Sequence, residues 1–480
     1  MILIKDIKVR QFSVLWFIEL WERYAFYSFQ ALFMLFITAS HISESQGYLI
    51  FGIFASLIYI TPTIGGYISD KVIGIKNALV TGAILLLLGY VVLAMSNDLK
   101  HISWALSLII VGNGLFKPAP TALISKIFND NPSQSHSAFT LYYMGVNIGS
   151  FLAIAFTPII AKYTSYSYAF IICVIGMILA LSNYAWRARL LKNIELENKK
   201  ITNKTKALVS LVCLLQIAIC YALFQMTDIS LYLIIVVCLL TFLYMLNDAK
   251  NTSSKKEKIL QIIGVILVIE AVIYFIIYNQ MFSTLVLFAD HNVNLNLIGF
   301  NVSPATYAAL DSFWLVVLSP ILAILYKKSV SHLSIPYKYS IGTVIAGIAP
   351  LTLYLVIMLT QKNGFIDGNW MIIYFFFGAL AELLVAALGF SLIAIYFRKE
   401  IVTLGMGFFM LALAFGGALS GKLGQLVAMP EGKIDPVMSL NIYQNYFLWL
   451  GVITIILGIL YALVARLATS IAKKNNISLG

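Results

Sequence analysis

Fourteen long apolar runs occupy most of this 480-residue sequence and restrict what it can fold into. Each run has about 19 residues or more, close to the length that an α-helix needs to cross the hydrocarbon core of a bilayer. Uninterrupted apolar runs of this length favour helices, which satisfy their own backbone hydrogen bonds inside lipid. The runs lie near residues 12–38, 48–70, 77–96, 103–127, 138–162, 166–186, 207–226, 229–247, 259–289, 306–326, 338–360, 370–397, 402–427 and 441–467. The sequence therefore predicts an all-α integral membrane protein with fourteen transmembrane helices.

The composition excludes a soluble globular protein. Hydrophobic residues make up 61% of the chain and charged residues 11%, with a mean hydropathy of +0.92. The net charge of +12 does not indicate a nucleic-acid site, because most Lys and Arg residues lie in short loops between the runs. If both termini are cytoplasmic, the inner loops hold about 25 of the 32 Lys and Arg residues and the outer loops about 5. We therefore expect a multi-pass protein of the cell (inner) membrane with both termini in the cytoplasm.

The residue patterns do not indicate an enzyme or a metalloprotein. All four cysteines fall inside apolar runs and lack the spacing of a metal site or of a disulfide framework; they are Cys173, Cys213, Cys220 and Cys238. The sequence also contains no nucleophile elbow and no catalytic triad pattern. We therefore expect core cysteines, no metal and no enzymatic activity.

The first run carries three charged residues near its middle, Glu19, Glu22 and Arg23. An ionised side chain at the centre of a bilayer costs about 2.5–3.5 kcal/mol on insertion scales, so these residues have to face protein or water. Their i, i+3, i+4 spacing places them on one helical face, which Tyr27 continues one turn later. The pattern favours a functional polar wall over the alternative, a buried ion pair that only joins helices.

A lysine in the fourth run needs an anionic partner. Lys117 lies about halfway through the membrane in the segment Gly112–Pro118, beside glycines that permit close backbone approach. Its possible partners are Glu19, Glu22 and Glu382. A lysine with three possible carboxylate partners changes its pairing when one carboxylate is protonated or when a charged substrate binds. The pattern therefore indicates coupling between proton binding and conformation.

Several segments resemble the motifs of one transporter family. The segment ELWERYAFY, from Glu19 to Tyr27, is similar to the ExxERFxYY signature of the proton-coupled oligopeptide transporters (POT/PTR family), a branch of the major facilitator superfamily. Further segments resemble the facilitator loop, the GNGLFKPN block, the FYxxINxGS segment and three later blocks in the family's order; they are residues 65–74, 112–118, 139–150, 319–323, 378–383 and 406–409. The pattern is closest to the bacterial dipeptide and tripeptide permease branch.

The resemblance implies a fold and a domain organisation. The fold would be the major facilitator fold, with two six-helix bundles plus an inserted two-helix hairpin. Residues 1–186 would form the N-terminal bundle, 187–257 a linker with the inserted hairpin, and 258–480 the C-terminal bundle. The substrate site of such a transporter lies near mid-membrane. We expect the protein to be a monomer.

The resemblance also implies roles for individual residues. Glu19, Glu22, Arg23, Lys117 and Glu382 would couple proton movement to transport; Lys117 would contact the peptide carboxylate and Glu382 the peptide amino group. The substrate-binding residues would be Tyr27, Gln30, Tyr59, Lys117, Tyr143, Asn147, Asn279, Gln280, Asp311, Glu382 and Phe409. The coupling ion would be the proton, with no other cofactor. The partners would be di- and tripeptides, protons and the lipid bilayer.

Four positions depart from the family pattern. Many members carry an arginine late in span one and a glutamate in span seven, where this chain has Gln30 and Asn279. Asp311 and Ala119 stand where the family usually has asparagine. If Asp311 faces the pocket, it either supplies a protonatable site or favours cationic substrates. In the alternative, Asp311 caps the outer end of a helix in water.

These observations predict a proton-coupled symporter that imports di- and tripeptides by alternating access. One alternative is a transporter of the same fold for another small substrate, either amino-acid-like or cationic. A second alternative is a peptide sensor of the same fold that binds without transport, which the two missing charges at Gln30 and Asn279 suggest.

Overall fold

The computed structural model describes residues 6–129, 132–194, 202–325, 333–430, 432 and 434–479, and most of these residues are helical. The helices are α1 Ile7–Ala39, α2 Glu44–Tyr67, α3 Ile75–Ala94, α4 Leu99–Phe116, α5 Pro118–Ile127, α6 Pro132–Tyr163, α7 Tyr166–Arg187, α8 Asn203–Gln225, α9 Thr227–Asn251, α10 Lys255–Gln280, α11 Thr284–Asn292, α12 Ala309–Leu325, α13 Ile335–Thr360, α14 Met371–Leu384, α15 Gly389–Tyr396, α16 Val402–Gly424 and α17 Pro436–Lys474. A π-helical segment, Ile68–Ile73, extends α2.

Helix occupies every one of the fourteen predicted runs. Twelve helical segments of the described chain are long and apolar enough to cross a membrane. The other two runs correspond to α1, which carries the charged residues, and to the apolar segment Gly368–Leu384 with the following α15. The predicted all-α membrane fold is therefore confirmed.

Breaks within the spans lie close to predicted site residues. The break between α4 and α5 falls at Lys117, before Pro118, which has no N–H with which to continue the hydrogen-bond ladder. The break between α10 and α11 follows Gln280, and α14 ends shortly after Glu382. Interrupted helices are tolerated at membrane depth where they are buried in protein or line a cavity. Lys117, Gln280 and Glu382 therefore lie at or near interrupted helices, a feature common at the substrate sites of transporters.

The chain divides into two compact units. One contains residues 1–42 and 57–227, and the other contains residues 43–56 and 228–480. The two inserted helices belong to different units, α8 to the first and α9 to the second. In the first unit α8 packs on α4, where the rings of Trp104 and Tyr221 stack with centroids 4.5 Å apart. In the second unit α9 packs on α16, where the ring centroids of Phe242 and Phe408 lie 4.8 Å apart. The sequence-based boundaries at residues 186 and 257 stay a prediction.

Two pairs of short strands lie in the second unit, in the connection between α11 and α12 and in the one between α13 and α14. β1 (Val293–Asn294) pairs in parallel with β4 (Ile366–Asp367), and β2 (Asn296–Leu297) pairs with β3 (Phe300–Asn301) in an antiparallel hairpin. The hairpin turn has positive φ at both central residues, +51° at Ile298 and +85° at Gly299, as two-residue hairpin turns often require. The connection between α11 and α12 is thus held by backbone pairing.

Candidate functional site

A cluster of charged side chains lies on α1 in the first unit. Glu19, Glu22 and Arg23 are all buried, with 4%, 0% and 6% of their surface exposed. Arg23 Nε donates to Glu22 Oε2 at 2.5 Å and lies 3.3 Å from Glu19 Oε1. The guanidinium also packs over the ring of Phe26 at 5.1 Å. The structure therefore brings the three predicted residues together as one ion-paired group.

Lys117 belongs to the same cluster. At the break between α4 and α5, its Nζ lies over the ring of Tyr59, 4.6 Å from the centroid, a distance typical of a cation–π contact. Its electrostatic partners are Arg23, Glu22 and Glu19. The cluster thus contains two carboxylates and two cations in one buried region, and its formal charge is balanced when all four groups are ionised.

Glycines allow the helices that carry this cluster to approach closely. A Cβ on Gly65 of α2 would collide with the carbonyl oxygen of Gly114 on α4, one turn before Lys117. A Cβ on Gly149 of α6 would lie 2.6 Å from the carbonyl oxygen of Leu20 on α1. At these glycines the helices touch through their backbones, with no side chain between them. The charged side chains on the helices are therefore held close together.

One α6 residue beside the cluster was not among the predicted site residues. Tyr142 is buried and interacts with Glu19, whereas the predicted Tyr143 is 62% exposed. Asn147 is half-buried and its backbone carbonyl accepts a hydrogen bond from Ser150 Oγ at 3.0 Å. The sequence does contain a signal for Tyr142, because it shares a helical face with Gly145 and Gly149, both of which abut α1.

Tyr27 and Gln30 continue the polar face of α1 beyond Arg23. Tyr27 is half-buried and meets Phe26 edge-on with ring centroids 5.4 Å apart. Gln30 is 6% exposed, and its Oε1 has no hydrogen-bond partner among the described residues. A buried amide oxygen of this kind is suited to accept a hydrogen bond from a bound ligand.

In the second unit, Glu382 and Asp311 form a pair of neighbouring carboxyl groups. Tyr274 OH donates to Glu382 Oε2 at 3.2 Å, and Asp311 interacts electrostatically with Glu382. Asp311 is 8% exposed, so the alternative of a helix cap in water is wrong. Two carboxyl groups this close do not readily ionise together. The pair is therefore suited to hold a proton or to bind a cationic group.

A small cavity adjoins this carboxyl pair. Its volume is about 20 Å³, enough for one water molecule. Its lining residues are Tyr274, Ile277, Tyr278, Met281, Asp311, Ala346, Tyr374, Phe375 and Gly378. Tyr274 and Tyr374 were not among the predicted site residues. The lining thus combines three tyrosines and the Asp311 carboxyl with apolar side chains.

Three further predicted residues lie in the seam between α10, α16 and α17. Gln280 Nε2 donates to Ser420 Oγ at 2.9 Å, and its Oε1 accepts from Tyr446 OH at 3.0 Å. Asn279 Nδ2 donates to the Phe275 carbonyl of its own helix at 2.7 Å. Phe409 is 2% exposed and packs on the ring of Phe275. In the structure Gln280 and Phe409 join helices, whereas the Asn279 side chain bonds within α10.

The part of the chain that the structure describes contains no cluster of three or more His, Cys, Asp and Glu residues able to hold a metal ion. The four cysteines are buried and are not joined by disulfides. Their predicted position in the core is therefore confirmed.

The chain is similar to a known transporter family and to its members along almost its whole length. Residues 76–445 match the model of the POT family. Dipeptide and tripeptide permease B of Photorhabdus luminescens is 33% identical over 464 residues, covering 94% of this chain and 95% of the relative. Dipeptide and tripeptide permease A of Proteus mirabilis is 31% identical over 476 residues, covering 97% and 96%.

Solved structures show the same similarity. The crystal structure of tetrameric PepTSo2 superimposes with a TM-score of 0.86 at 30% identity, covering 97% of this chain and 99% of that one. A bacterial homologue of the human drug peptide transporters PepT1 and PepT2 gives a TM-score of 0.84 at 30% identity, with 96% and 99% covered.

Proposed function

Because the chain belongs to the POT family, we propose that it is a proton-coupled symporter that imports di- and tripeptides by alternating access. It is a multi-span membrane transporter and not an enzyme. The observation that carries the proposal is the buried, charge-balanced cluster of Glu19, Glu22, Arg23 and Lys117. A cluster of this kind is costly inside a membrane and is found where ions or substrates bind.

Proton binding changes the pairing within this cluster. When one carboxylate of the cluster takes up a proton, Arg23 and Lys117 no longer have two anions to balance them. One buried positive charge is then uncompensated, on Arg23 or on Lys117. An anion from outside the cluster stabilises that state, and a peptide carboxylate is such an anion. Proton and peptide therefore bind more favourably together than separately.

The predicted site residues include a cation and an anion, which suit the two oppositely charged ends of a peptide. Lys117 offers a cation for the peptide carboxylate, while the Glu382 carboxyl, held by Tyr274, offers an anion for the amino group. Tyr27, Tyr59 and Asn147 offer hydroxyl and amide groups for the peptide bond. Selection by the two charged ends and by backbone length leaves the side chains loosely specified.

The proton gradient supplies enough free energy for this transport. One proton that moves down about one pH unit and about 100 mV releases roughly 1.4 plus 2.3 kcal/mol. At one proton per cycle, this concentrates a neutral substrate up to a few hundred-fold.

We further propose that the protein lies in the bacterial inner membrane with both termini in the cytoplasm. The unequal distribution of Lys and Arg between alternate loops supports this orientation. The expected monomer stays a prediction.

The test is uptake of a labelled dipeptide into proteoliposomes under an inward proton gradient and an inside-negative potential. We expect the native protein to accumulate the dipeptide and to lose accumulation when the gradient is dissipated. Glu22→Gln should allow equilibration at most, because glutamine cannot take up the proton. Glu257→Gln is the matched control, since Glu257 is exposed in the first turn of α10, and it should transport normally.

The outcomes separate the alternatives. Equilibration without accumulation in the native protein would mean a facilitator, and binding without uptake would mean a sensor. A competition panel of dipeptides, amino acids and cationic metabolites identifies the substrate class. Uptake that dipeptides do not inhibit would contradict the proposed substrate.

A further inference from the structure

Glu270 is a buried carboxyl group that the mechanism above does not use. It lies on α10, in the helix that also carries Asn279 and Gln280, and its exposed fraction is 1%. Thr343 Oγ1 of α13 donates a hydrogen bond to Glu270 Oε1 at 3.1 Å. Among the described residues, no lysine, arginine or histidine contributes to the electrostatic surroundings of Glu270. Glu270 thus differs from Glu19 and Glu22, which have Arg23 beside them.

A second small cavity adjoins Glu270 where α10, α13 and α17 meet. Its volume is about 20 Å³, enough for one water molecule. Apart from Glu270 and Tyr461, its lining is apolar and comes from Ile263, Ile266, Leu267, Pro336, Val464, Ala465 and Ala468. This cavity shares no lining residue with the one beside Asp311. The two carboxyl sites are therefore separate.

The titratable groups that face Glu270 are the tyrosines Tyr339 of α13 and Tyr461 of α17. Tyr339 is fully buried, and its hydroxyl has no hydrogen-bond partner among the described residues. The titratable groups on the other helices packed against α10 have partners elsewhere: Glu382 of α14 bonds to Tyr274, Tyr396 of α15 to the Leu479 carbonyl, and Lys422 of α16 to Asp228. Lys338 of α13 and Arg466 of α17 do not contribute to the electrostatic surroundings of Glu270, so no cation among the described residues neutralises an anion there.

An ionised carboxylate in this position is strongly disfavoured. Burial removes its hydration, and one neutral hydroxyl donor does not replace it, whereas a neutral carboxylic acid is tolerated. We propose that Glu270 is a further proton-binding carboxyl of this transporter, located where α10, α13 and α17 meet and separate from both the α1 cluster and the Asp311–Glu382 pair. The inference rests on the proposed proton-coupled function.

The exchange involves a single proton. A hydronium ion that reaches the cavity donates its proton to a carboxylate oxygen of Glu270, which leaves the neutral acid and a water molecule; the reverse step returns the proton to water. The ionised form needs water around it, so proton release requires α10 and α13 to separate locally. Tyr274, one helical turn after Glu270, donates to Glu382. Neighbouring turns of α10 therefore serve both carboxyl sites.

Glu270→Gln tests the inference, because glutamine keeps the shape and the acceptor for Thr343 but cannot bind the proton. The first measurement counts protons released by purified protein when the pH is stepped from neutral to alkaline. The native protein should release one more proton per molecule than Glu270→Gln. Glu257→Gln, an exposed carboxyl on the same helix, should match the native count. Glu270→Met, which replaces the carboxyl group with an apolar side chain, is a second variant in case Glu270→Gln impairs folding.

The second measurement is dipeptide transport in proteoliposomes. Glu270→Gln should retain peptide exchange between the two sides at a normal rate, while its proton-driven accumulation should fall severalfold. Equal proton counts together with unchanged accumulation would overturn the inference. Failure of the native protein to accumulate dipeptides would instead overturn the proposed function, and the proton count would still report on Glu270.

Discussion

The charges on α1 are arranged so that one proton changes their balance. The formal charges of Glu19, Glu22, Arg23 and Lys117 sum to zero when all are ionised; the first three side chains are buried in the first unit and Lys117 is half-buried. A buried pair with a missing partner costs several kcal/mol more than an intact one. Any event that neutralises one carboxylate therefore creates a strong demand for a replacement anion.

Asp311 is one of the four positions at which this chain departs from the family pattern. It is buried beside Glu382 and lines the cavity of the second unit. The two carboxyl groups together can carry up to two negative charges, which would favour a cationic substrate group and disfavour an anionic one. The substitution Asn→Asp at this position should therefore be visible in substrate ranking or in pH dependence.

Asp311→Asn should lower the preference for a cationic dipeptide over a neutral one by about tenfold, equivalent to about 1.4 kcal/mol, and should flatten the pH dependence of uptake. The reason is the loss of one titratable negative charge next to Glu382. Competition of lysine-containing and alanine-only dipeptides for labelled dipeptide uptake, measured across pH, provides the readout.

The matched control for this variant is Asp228→Asn. Asp228 is a carboxyl group at the surface of the same unit, where it pairs with Lys422 at 3.1 Å. It should leave substrate ranking unaltered. If Asp311→Asn also leaves both the ranking and the pH profile unchanged, Asp311 has no role in substrate or proton binding.

At the scale of helices, glycine contacts and helix breaks position the charged side chains. Gly65 against Gly114 brings α2 and α4 close enough for Tyr59 to cover Lys117. The break before Pro118 then directs the chain onward as α5. These features act on backbone position, so their substitution should affect stability and function together.

Gly65→Ala should destabilise the protein by about 1–3 kcal/mol, because the added methyl group overlaps the backbone of Gly114 and forces α2 away from α4. The neighbouring variant Gly66→Ala is the matched control, since a Cβ there meets nothing within 4 Å. Thermal unfolding in detergent compares the two.

Relative to the native protein, we expect a lower midpoint of thermal unfolding for Gly65→Ala and an unchanged or higher one for Gly66→Ala. Peptide affinity should also fall in Gly65→Ala, because Tyr59 moves relative to Lys117. Equal midpoints for the two variants would show that the α2–α4 contact is not tight.

For the whole molecule, the distribution of positive charge predicts the orientation in the membrane. With cytoplasmic termini, Lys473 at the end of α17 lies inside and Lys362, between α13 and α14, lies outside. Both side chains are exposed, whereas the four native cysteines are buried. The two lysines therefore form a matched pair for labelling.

In intact cells, Lys362→Cys should react with a membrane-impermeant thiol reagent, and Lys473→Cys should react only after the membrane is permeabilised. The native protein, with its buried cysteines, gives the background. The opposite labelling pattern would reverse the proposed orientation.

The sequence alone determined the helical spans and the main residues of the first unit's cluster. Apolar length is a local property, and it identified every span despite the charges in α1. The spacing of Glu19, Glu22 and Arg23 fixed their common face, because side chains three and four residues apart on a helix point the same way. Their charge inside apolar runs also singled out Lys117 and Glu382, and the family motifs added their expected roles.

Only the tertiary structure decided which neighbour each helix face meets. It showed that Tyr142 lies beside Glu19, that Asp311 is buried beside Glu382, and that no cation among the described residues contributes to the surroundings of Glu270. It also assigned α8 and α9 to different units. In a membrane protein both the lipid-facing and the protein-facing sides of a helix are apolar, so hydrophobic periodicity does not reveal how helices pack.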